Sequence, residues 1–181
     1  MARPSTAAFL GMSLDGFIAG PDDELDWLER EGGPPEDHGY AEFLASVDAL
    51  LVGRRTWDVV SRFPAWPYEG KRVFVLTRRP AEPRHGERFL EGTPDQVLAT
   101  LGDAGVRRVY VDGGRVVSQV LAAGLLDELT VSILPVLIGR GIRLFEDAGP
   151  ERWLDLASSR AFAGGMVQLR YRGRGATPRG G

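Results

Sequence analysis

The fold is decided by the stretch Ala49-Leu50-Leu51-Val52-Gly53-Arg54-Arg55-Thr56-Trp57. Four consecutive apolar residues that end at a glycine are typical of a strand buried on both faces. The residues after the glycine predict a helix over residues 56–62, which Pro64 ends. Two shorter helices are predicted ahead of this strand, over residues 25–30 and 40–47. A buried strand that turns directly into a helix indicates a parallel sheet covered by helices.

Two further apolar runs repeat this pattern along the chain. Residues 72–77 predict a second buried strand, and residues 109–112 predict a third, followed by a helix over residues 116–123. Between them, Thr93-Pro94-Asp95-Gln96 is a favourable helix start, since threonine suits the N-cap, proline the first position and glutamine the third. Strands and helices therefore alternate through the middle of the chain.

The two ends of the chain complete the sheet. Residues 6–13 predict the first strand, and residues 128–137 alternate as a longer one. Residues 154–162 and 166–172 flank Gly164-Gly165 and predict a hairpin. The expected fold class is α/β, with three layers: a mostly parallel central sheet, an antiparallel C-terminal edge hairpin, and helices on both faces.

Composition narrows the class of protein. The 181 residues are 43% hydrophobic and 26% charged, which suits one globular domain. We assign residues 1–172 to that domain and residues 173–181, which are almost without apolar side chains, to a flexible tail. The net charge of −3 argues against a nucleic-acid partner. No apolar run approaches the roughly 20 residues of a membrane span, so we expect no membrane partner and no leader peptide.

The reactive side chains are equally restrictive. The chain has no cysteine and two histidines, which excludes thiolate chemistry and argues against a metal site. We expect a cytoplasmic protein whose chemistry is carried by an organic cofactor.

The first candidate binding turn follows the strand at residues 49–52. It contains Gly53, Arg54, Arg55 and Thr56. Glycine lets the backbone approach a ligand, the start of the next helix offers free N–H groups, and the side chains add donors for a phosphate. The alternative is a plain glycine turn with solvated arginines.

The second turn contains Thr77, Arg78 and Arg79, at the carboxyl end of the next buried strand. Two arginines in this place could grip the 2′-phosphate that distinguishes NADPH from NADH. The alternative is a pair of surface charges that precede a proline.

The third turn contains Asp112, Gly113, Gly114, Arg115 and Val116. A Gly-Gly pair between a strand and a helix can place backbone amides against a pyrophosphate. The spacing differs from G-x-G-x-x-G, which disfavours an ordinary Rossmann dehydrogenase. Because ligands of parallel sheets bind at the carboxyl ends of the strands, the three turns together predict one NADPH site.

The segments around these turns resemble a known family. They are residues 13–22 (SLDGFIAGPD), 25–28 (LDWL), 53–57 (GRRTW), 112–114 (DGG), 121–128 (LAAGLLDE), 135–139 (PVLIG) and 144–145 (LF). In order and spacing they resemble the dihydrofolate reductase-like family, and more narrowly the branch that contains the reductase domain of the riboflavin-biosynthesis deaminase-reductase. The resemblance covers about residues 6–172, nearly the whole chain.

This resemblance implies NADPH-dependent reduction of a C=N or C=O bond in a small heterocycle or ribosylamine. It implies that the loop after the first strand covers the nicotinamide, with cofactor contacts at Leu14, Gly16, Ile18 and Ala19. It also implies a homodimer formed through the late strands, about residues 128–145.

Two carboxylates are candidates for the proton that accompanies hydride transfer. Asp15 lies in the loop expected beside the nicotinamide, and Glu42 on the following helix is a weaker candidate. A structural reading of Asp15 is a turn residue that accepts hydrogen bonds from nearby backbone amides. The acidic residues between 22 and 37 are interpreted as a solvated lid.

Three tryptophans are candidates for the wall of a flat-ring substrate pocket: Trp27, Trp57 and Trp66. Ordinary core packing is the competing interpretation of each, and Trp66 is the best pocket candidate because Pro64 and Pro67 hold it in a loop. Two readings other than a reductase stay open: a module that binds NADPH without turnover, and a structural dimer without a ligand.

Overall fold

The central feature of the fold is an eight-stranded sheet, in a computed structural model that describes residues 3–30, 37–146 and 149–174. The strands are β1 (Ser5–Ser13), β2 (Phe17–Ala19), β3 (Ala49–Gly53), β4 (Arg72–Leu76), β5 (Arg88–Leu90), β6 (Arg108–Asp112), β7 (Glu128–Leu134), β8 (Ile142–Arg143), β9 (Leu154–Ala161) and β10 (Val167–Gly173). The helices are α1 (Tyr40–Ala45), α2 (Arg54–Val60), α3 (Pro94–Asp103) and α4 (Gly114–Ala122), with a 3-10 helix at Asp26–Arg30.

The strand order is β5-β4-β3-β6-β1-β7-β10-β9. Every neighbouring pair from β5 to β7 is parallel. The last two strands are antiparallel to their neighbours and form the edge hairpin. The short strands β2 and β8 pair separately, next to the main sheet. The predicted α/β class, with its mostly parallel sheet and antiparallel C-terminal edge, is confirmed.

Strand β3 shows why helices cover both faces of the sheet. Successive side chains of a strand point to opposite faces. Ala49 and Leu51 pack into the core cluster that includes α3 and α4, whereas Leu50 and Val52 pack into the cluster that includes α2. All four residues are fully buried. The continuous apolar run therefore has a partner layer on each side.

Several predicted bounds shift for local reasons. The predicted helix over residues 40–47 ends at Ala45, where the Ser46 hydroxyl donates to the Phe43 carbonyl and competes with the helical pattern. The predicted strand over residues 128–137 ends at Leu134, because Pro135 cannot donate to a strand ladder. The capping box of α3 is present, with the Thr93 N–H donating to Gln96 Oε1 over 3.0 Å.

The dimer predicted for residues 128–145 involves a segment that begins inside the sheet. Strand β7, which makes up the first part of this segment, is paired with β1 on one side and with β10 on the other. It has no free edge for a partner strand. The exposed edge of the sheet at this end is β9. The dimer through residues 128–145 stays a prediction.

Two other predicted segments lie partly outside the described residues. The acidic lid over residues 22–37 is described except for residues 31–36, and the tail over residues 173–181 is described to Arg174, with Gly173 still in β10. Among the described helices, none is long and apolar enough to cross a membrane.

Candidate functional site

The three predicted turns lie along one edge of the sheet. Strands β4, β3, β6 and β1 are neighbours and all run parallel, so their carboxyl ends share this edge. Between β3 and β4, Gly53 is paired with Leu76, and between β3 and β6, Val52 is paired with Asp112. The turns that follow these strands are therefore adjacent, as expected for a ligand site of a parallel sheet.

Gly113 is the point where the first and third turns touch. Its φ of +93° belongs to a region that side-chain-bearing residues rarely adopt, and a β-carbon at this position would collide with the Thr56 side chain. Gly53 packs in a similar way, since a β-carbon there would lie 3.1 Å from Val116 Cγ2. Protein atoms therefore pack directly against the backbone at both glycines, which holds the first and third turns in close contact.

Gly114 joins the third turn to the loop after β1. A β-carbon at Gly114 would lie 2.6 Å from the Arg143 carbonyl oxygen and 3.1 Å from Ile18 Cδ1. Arg143 is also paired with Phe17 between β8 and β2. The structure thus brings the predicted nicotinamide loop and the Gly-Gly turn together, through a contact with β8 that the sequence did not reveal.

The other predicted contacts of the loop after β1 differ in exposure. The Leu14 side chain is 62% exposed, while Ala19 is buried. Gly16 has a φ of +91° and its carbonyl accepts from the Leu144 N–H over 3.1 Å. This bond holds the loop against the start of the segment after β8, and Leu14 is the side chain that the loop presents to solvent.

Arg54 and Arg55 are already occupied by carboxylates. The Arg54 Nε donates to Asp58 Oδ1 over 3.0 Å, one turn along α2, and the guanidinium also donates to the Arg79 carbonyl. Arg55 pairs with Asp23 and donates to the Pro21 carbonyl over 2.9 Å. These contacts tie the first turn to the second turn and to the start of the acidic segment. A phosphate would have to compete with them.

The side chains of the second turn are more accessible. Arg78 is 90% exposed and its contact with Glu91 is long, at 3.8 Å. The Thr77 hydroxyl accepts from the Arg79 N–H over 3.0 Å, which shapes the turn. Arg115, in the third turn, is exposed as well. Arg78, Arg79 and Arg115 are therefore the predicted arginines that remain free to meet an anion.

Asp15 is engaged by its own loop and by a distant one. Its carboxylate accepts from Ser13 Oγ at 2.6 Å, Gly139 N at 2.7 Å and Ile138 N at 3.3 Å. The hydrogen bond from Ser13, together with those from the two amides, lowers the pKa of Asp15 below its usual value. The carboxylate is stabilised in its ionised form and fastens the first loop to residues 138–139.

Neither predicted proton donor is well placed for that role. A donor must hold its proton near neutral pH, whereas the surroundings of Asp15 favour the charged form. Glu42 is exposed, on a six-residue helix without a buried residue. The structural reading of Asp15 as a turn residue fits its contacts, and the proton-donor roles of Asp15 and Glu42 stay predictions.

The surroundings of Asp112 raise its pKa, whereas those of Asp15 lower it. Its Oδ1 accepts from its neighbour Gly113 N at 2.8 Å, and its Oδ2 lies 3.3 Å from the Tyr68 hydroxyl. Burial raises the pKa of Asp112, and the hydrogen bonds from Gly113, Tyr68 and Tyr110 only partly offset this effect. The carboxyl group is directed into the protein, so the predicted cofactor contact of Asp112 falls to its backbone.

Sequence reasoning missed the tyrosines around Asp112. Tyr110 and Asp112 are two residues apart in β6 and so share a face of the sheet, which is the one signal that could have linked them. Tyr68 comes from the loop before β4, and its contact with Asp112 depends on tertiary packing alone.

The three predicted pocket tryptophans do not form one wall. Trp27 packs with Leu134 and Met166 in a small separate cluster. Trp57 is 3% exposed, in the core, and its indole N–H donates to Glu87 Oε1 over 2.9 Å. Both are packed as ordinary core residues, which leaves no free ring face for a substrate.

Trp66 is the exception among the three tryptophans. It is half-buried and its ring stacks on His85, with ring centres 4.2 Å apart. It lines a cleft of about 410 Å³ together with Tyr68, Lys71 and His85. Because the hydroxyl of Tyr68 reaches Asp112, the cleft and the third turn share one side chain.

The described residues contain no group of histidine, aspartate or glutamate side chains that could hold a metal ion. The electrostatic features of the edge are therefore its backbone amides, three exposed arginines and the carboxyl group of Asp112. This arrangement is typical of a site for an anionic organic molecule.

The fold and this edge define a dihydrofolate reductase-like α/β protein. The chain belongs to the RibD C-terminal domain family, whose model matches residues 4–168.

Three comparisons illustrate this relationship. The uncharacterized protein YwjB of Bacillus subtilis (strain 168) is 31% identical over 169 residues, which cover 92% of this chain and 96% of YwjB. A crystal structure of a protein assigned to riboflavin biosynthesis in Shewanella sp. PV-4 superposes with a TM-score of 0.87 and 31% identity, over 94% of this chain and 99% of that one. Dihydrofolate reductase from Enterococcus faecalis, in complex with NADP(H), has the same fold with a TM-score of 0.67 and 16% identity, over 93% and 95% of the two chains.

Proposed function

We propose that this protein is an NADPH-dependent reductase that transfers hydride to a C=N or C=O bond of a small heterocyclic or ribosylamine substrate. The observation that carries the proposal is the contact between the turns after β3 and β6. At Gly113 the Thr56 side chain leaves no room for a β-carbon, and at Gly114 the Arg143 carbonyl and Ile18 leave none. Bare backbone at the N-terminus of a nine-residue helix is suited to a pyrophosphate.

The residues at the edge fit the parts of this cofactor. Gly113, Gly114 and the first turn of α4 would hold the pyrophosphate, and Arg78 with Arg79 would hold the 2′-phosphate. The loop from Leu14 to Ala19 would cover the nicotinamide. When bound, NADPH supplies the hydride, while the protein orients the acceptor and excludes water.

The cleft at Trp66 supports a flat acceptor with polar substituents. An aromatic ring, a lysine and a histidine line it, which is the mixture of one apolar surface and a few polar groups that small-molecule pockets use.

Thermal unfolding with each cofactor tests the proposal. At a concentration one hundred times its Kd, NADPH is expected to add about 2.7 kcal/mol to the free energy of unfolding. NADH at the same concentration is expected to add less, because it lacks the 2′-phosphate. Equal stabilisation by the two cofactors would refute the 2′-phosphate contact. The absence of stabilisation by either would refute cofactor binding altogether.

A binding module without turnover is the competing function. It is favoured by the environments of Asp15 and Glu42, neither of which suits a proton donor. Oxidation of NADPH, followed by its absorbance, separates the two functions. Dihydrofolate, a pyrimidine ribosylamine and a small quinone are the acceptors to test, and oxidation that depends on one of them would exclude the module.

We further propose a homodimer that uses β9, with an interface within residues 128–145 as the alternative. Strand β9 is an unpaired edge, and Leu156 on it is 57% exposed next to Trp153, which is 68% exposed. Leu137 lies within residues 128–145 and is 68% exposed, as is Trp153. Sedimentation equilibrium should find Leu156→Lys monomeric and Leu137→Lys dimeric, and the reverse result would restore an interface within residues 128–145.

A further inference from the structure

A salt bridge between Arg55 and Asp23 joins two segments at the carboxyl edge of the sheet. Arg55 lies in the first turn of α2, directly after β3, and Asp23 lies in the turn that follows β2. The Arg55 Nε donates to Asp23 Oδ1 over 2.5 Å, and the same guanidinium donates to the Pro21 carbonyl over 2.9 Å. We call this contact the Arg55–Asp23 bridge. It connects parts of the chain that are 32 residues apart.

The Gly113–Gly114 turn lies between the two segments that the bridge joins. Strand β6, which this turn follows, is placed between β3 and β1 in the sheet, and β2 comes directly after β1. On the β3 side, the Thr56 side chain packs against Gly113. On the β1 side, the Ile18 side chain packs against Gly114. The bridge therefore runs from one flank of the turn to the other, at the place assigned to the pyrophosphate.

The turn that carries Asp23 does not depend on the bridge for its shape. The Gly20 N–H donates to the Glu24 carbonyl over 2.9 Å, and the Asp22 N–H donates to the Glu24 carboxylate over 2.8 Å. Just ahead of this turn, β2 is paired with β8. Because none of these contacts involves Arg55, the bridge can open while the turn stays folded.

The exposure of the bridge makes it easy to displace. The Arg55 side chain is 58% exposed and that of Asp23 is 30% exposed. Ion pairs in such surroundings are weak, because water solvates both charges when they separate. A pyrophosphate presents two negative charges and several acceptor oxygens to the planar guanidinium, whereas Asp23 presents one carboxylate. The stronger anion is therefore expected to win the arginine.

We propose that the Arg55–Asp23 bridge closes the cofactor edge in the free protein and that the cofactor pyrophosphate takes the place of Asp23 on Arg55. The proposal rests on the reductase function proposed above. Arg55 then has two successive anionic partners, one in the free protein and one in the complex. Asp23 acts as a competitor of the cofactor, so its carboxylate lowers the affinity of the protein for NADPH.

The first test removes the competing charge with Asp23→Asn. Asp23 has a φ of +66°, and asparagine tolerates this conformation as well as aspartate does, so the turn is kept. Isothermal titration should find NADPH bound about threefold more tightly than by the wild type, as expected for the loss of a weak exposed ion pair. NADH should gain by the same factor, because both cofactors carry the pyrophosphate. Unchanged or weaker binding of NADPH would overturn the proposal.

Asp155→Asn is the matched control for the loss of one negative charge. Asp155 forms a similarly short and exposed pair with Arg174, at 2.6 Å, on the edge strand β9. Its substitution should leave the affinity for NADPH unchanged. An equal gain in both variants would show a general effect of net charge and would also overturn the proposal.

A double-mutant cycle then asks whether Asp23 acts through Arg55. Arg55→Ala removes the arginine from the complex and should weaken NADPH binding by about tenfold, the usual effect of losing a charge-assisted contact. Adding Asp23→Asn to Arg55→Ala should change the affinity no further, because the competition has no object left. If Asp23→Asn tightens binding in that background as well, the carboxylate acts on the cofactor directly and the exchange at Arg55 is wrong.

The outcomes separate this proposal from the reductase function. If the wild type binds NADPH and Asp23→Asn binds it no more tightly, the bridge is not a competitor and the reductase function stands. If neither protein binds NADPH, the reductase function fails, and the role of the bridge falls with it.

Discussion

Gly113 and Thr56 are in direct contact, although they belong to turns that follow different strands. The contact leaves no space for a β-carbon on Gly113, whose backbone also has a positive φ. It fixes the distance between the first and third turns and so shapes the edge assigned to the pyrophosphate.

Substitution of Gly113 by alanine should affect both stability and binding. The positive φ and the collision with Thr56 are expected to cost about 1–3 kcal/mol of unfolding free energy, and the displaced backbone should weaken NADPH binding by about tenfold. Urea unfolding and fluorescence titration measure the two effects.

The matched control is Gly105→Ala. Gly105 also has a positive φ, of +75°, but a β-carbon there meets no atom within 4 Å. We expect a stability loss of about 1 kcal/mol with unchanged NADPH affinity. Adding Thr56→Ala to Gly113→Ala should recover part of the lost stability, and if it does not, the collision with Thr56 is not the cause.

Removal of the free arginines of the second turn should reduce cofactor discrimination. Because Arg78 and Arg79 are assigned to the 2′-phosphate, Arg78→Ala with Arg79→Ala should lower the preference for NADPH over NADH by about tenfold or more, which corresponds to roughly 1.4 kcal/mol. Isothermal titration with each cofactor measures the preference.

Arg107→Ala is the control for that pair. Arg107 is 89% exposed with a 3.8 Å contact to Asp48, which matches the exposure and pairing of Arg78, but it precedes β6 at the opposite edge of the sheet. Its loss should leave the preference unchanged. A similar fall in Arg107→Ala would indicate a general effect of net charge.

The anchoring role of Asp15 predicts a pH-dependent loss of stability in Asp15→Asn. The hydrogen bonds from Ser13, Gly139 and Ile138 lower the folded-state pKa, so their stabilisation is complete above the usual aspartate pKa and is lost as the pH falls through the folded value. The melting temperature of Asp15→Asn should therefore lie below that of the wild type at pH 7, and the gap should narrow in acid.

The same variant distinguishes an anchor from a proton donor. Turnover at pH 7 by Asp15→Asn should remain within about tenfold of the wild type, less than the usual effect of removing a general acid. A loss of a thousandfold, without a change in melting temperature, would return Asp15 to the catalytic role.

Substitution by phenylalanine should affect stability at Trp57 and substrate binding at Trp66. Burial raises the pKa of Glu87, but the hydrogen bonds from His85, Trp57 and Arg84 outweigh it and keep the carboxylate ionised. Trp57→Phe removes one of these donors and should cost about 1–3 kcal/mol of stability without changing KM. Trp66→Phe, in the cleft, should raise KM with a smaller loss of stability, and a raised KM in Trp57→Phe instead would return it to the pocket.

Much of the fold could be predicted because its signals are local. The apolar run of β3, the capping box at Thr93 and Gln96, and the glycines that end β3 and follow β6 each act within a few residues. The two element ends that were predicted too far along the chain also have local causes. The Ser46 hydroxyl ends α1, and the missing N–H of Pro135 ends β7.

The sequence by itself determined the α/β class, the strand-to-helix turns and their position at one edge, because periodicity and glycine conformation are properties of short segments. Only the tertiary structure decided which side chains at that edge are free. Asp15 is fastened to Gly139, 124 residues away, and Asp112 meets Tyr68, 44 residues away. Such contacts depend on strand order and loop packing, which no local pattern encodes, and they show that both carboxyl groups are already engaged by other parts of the protein.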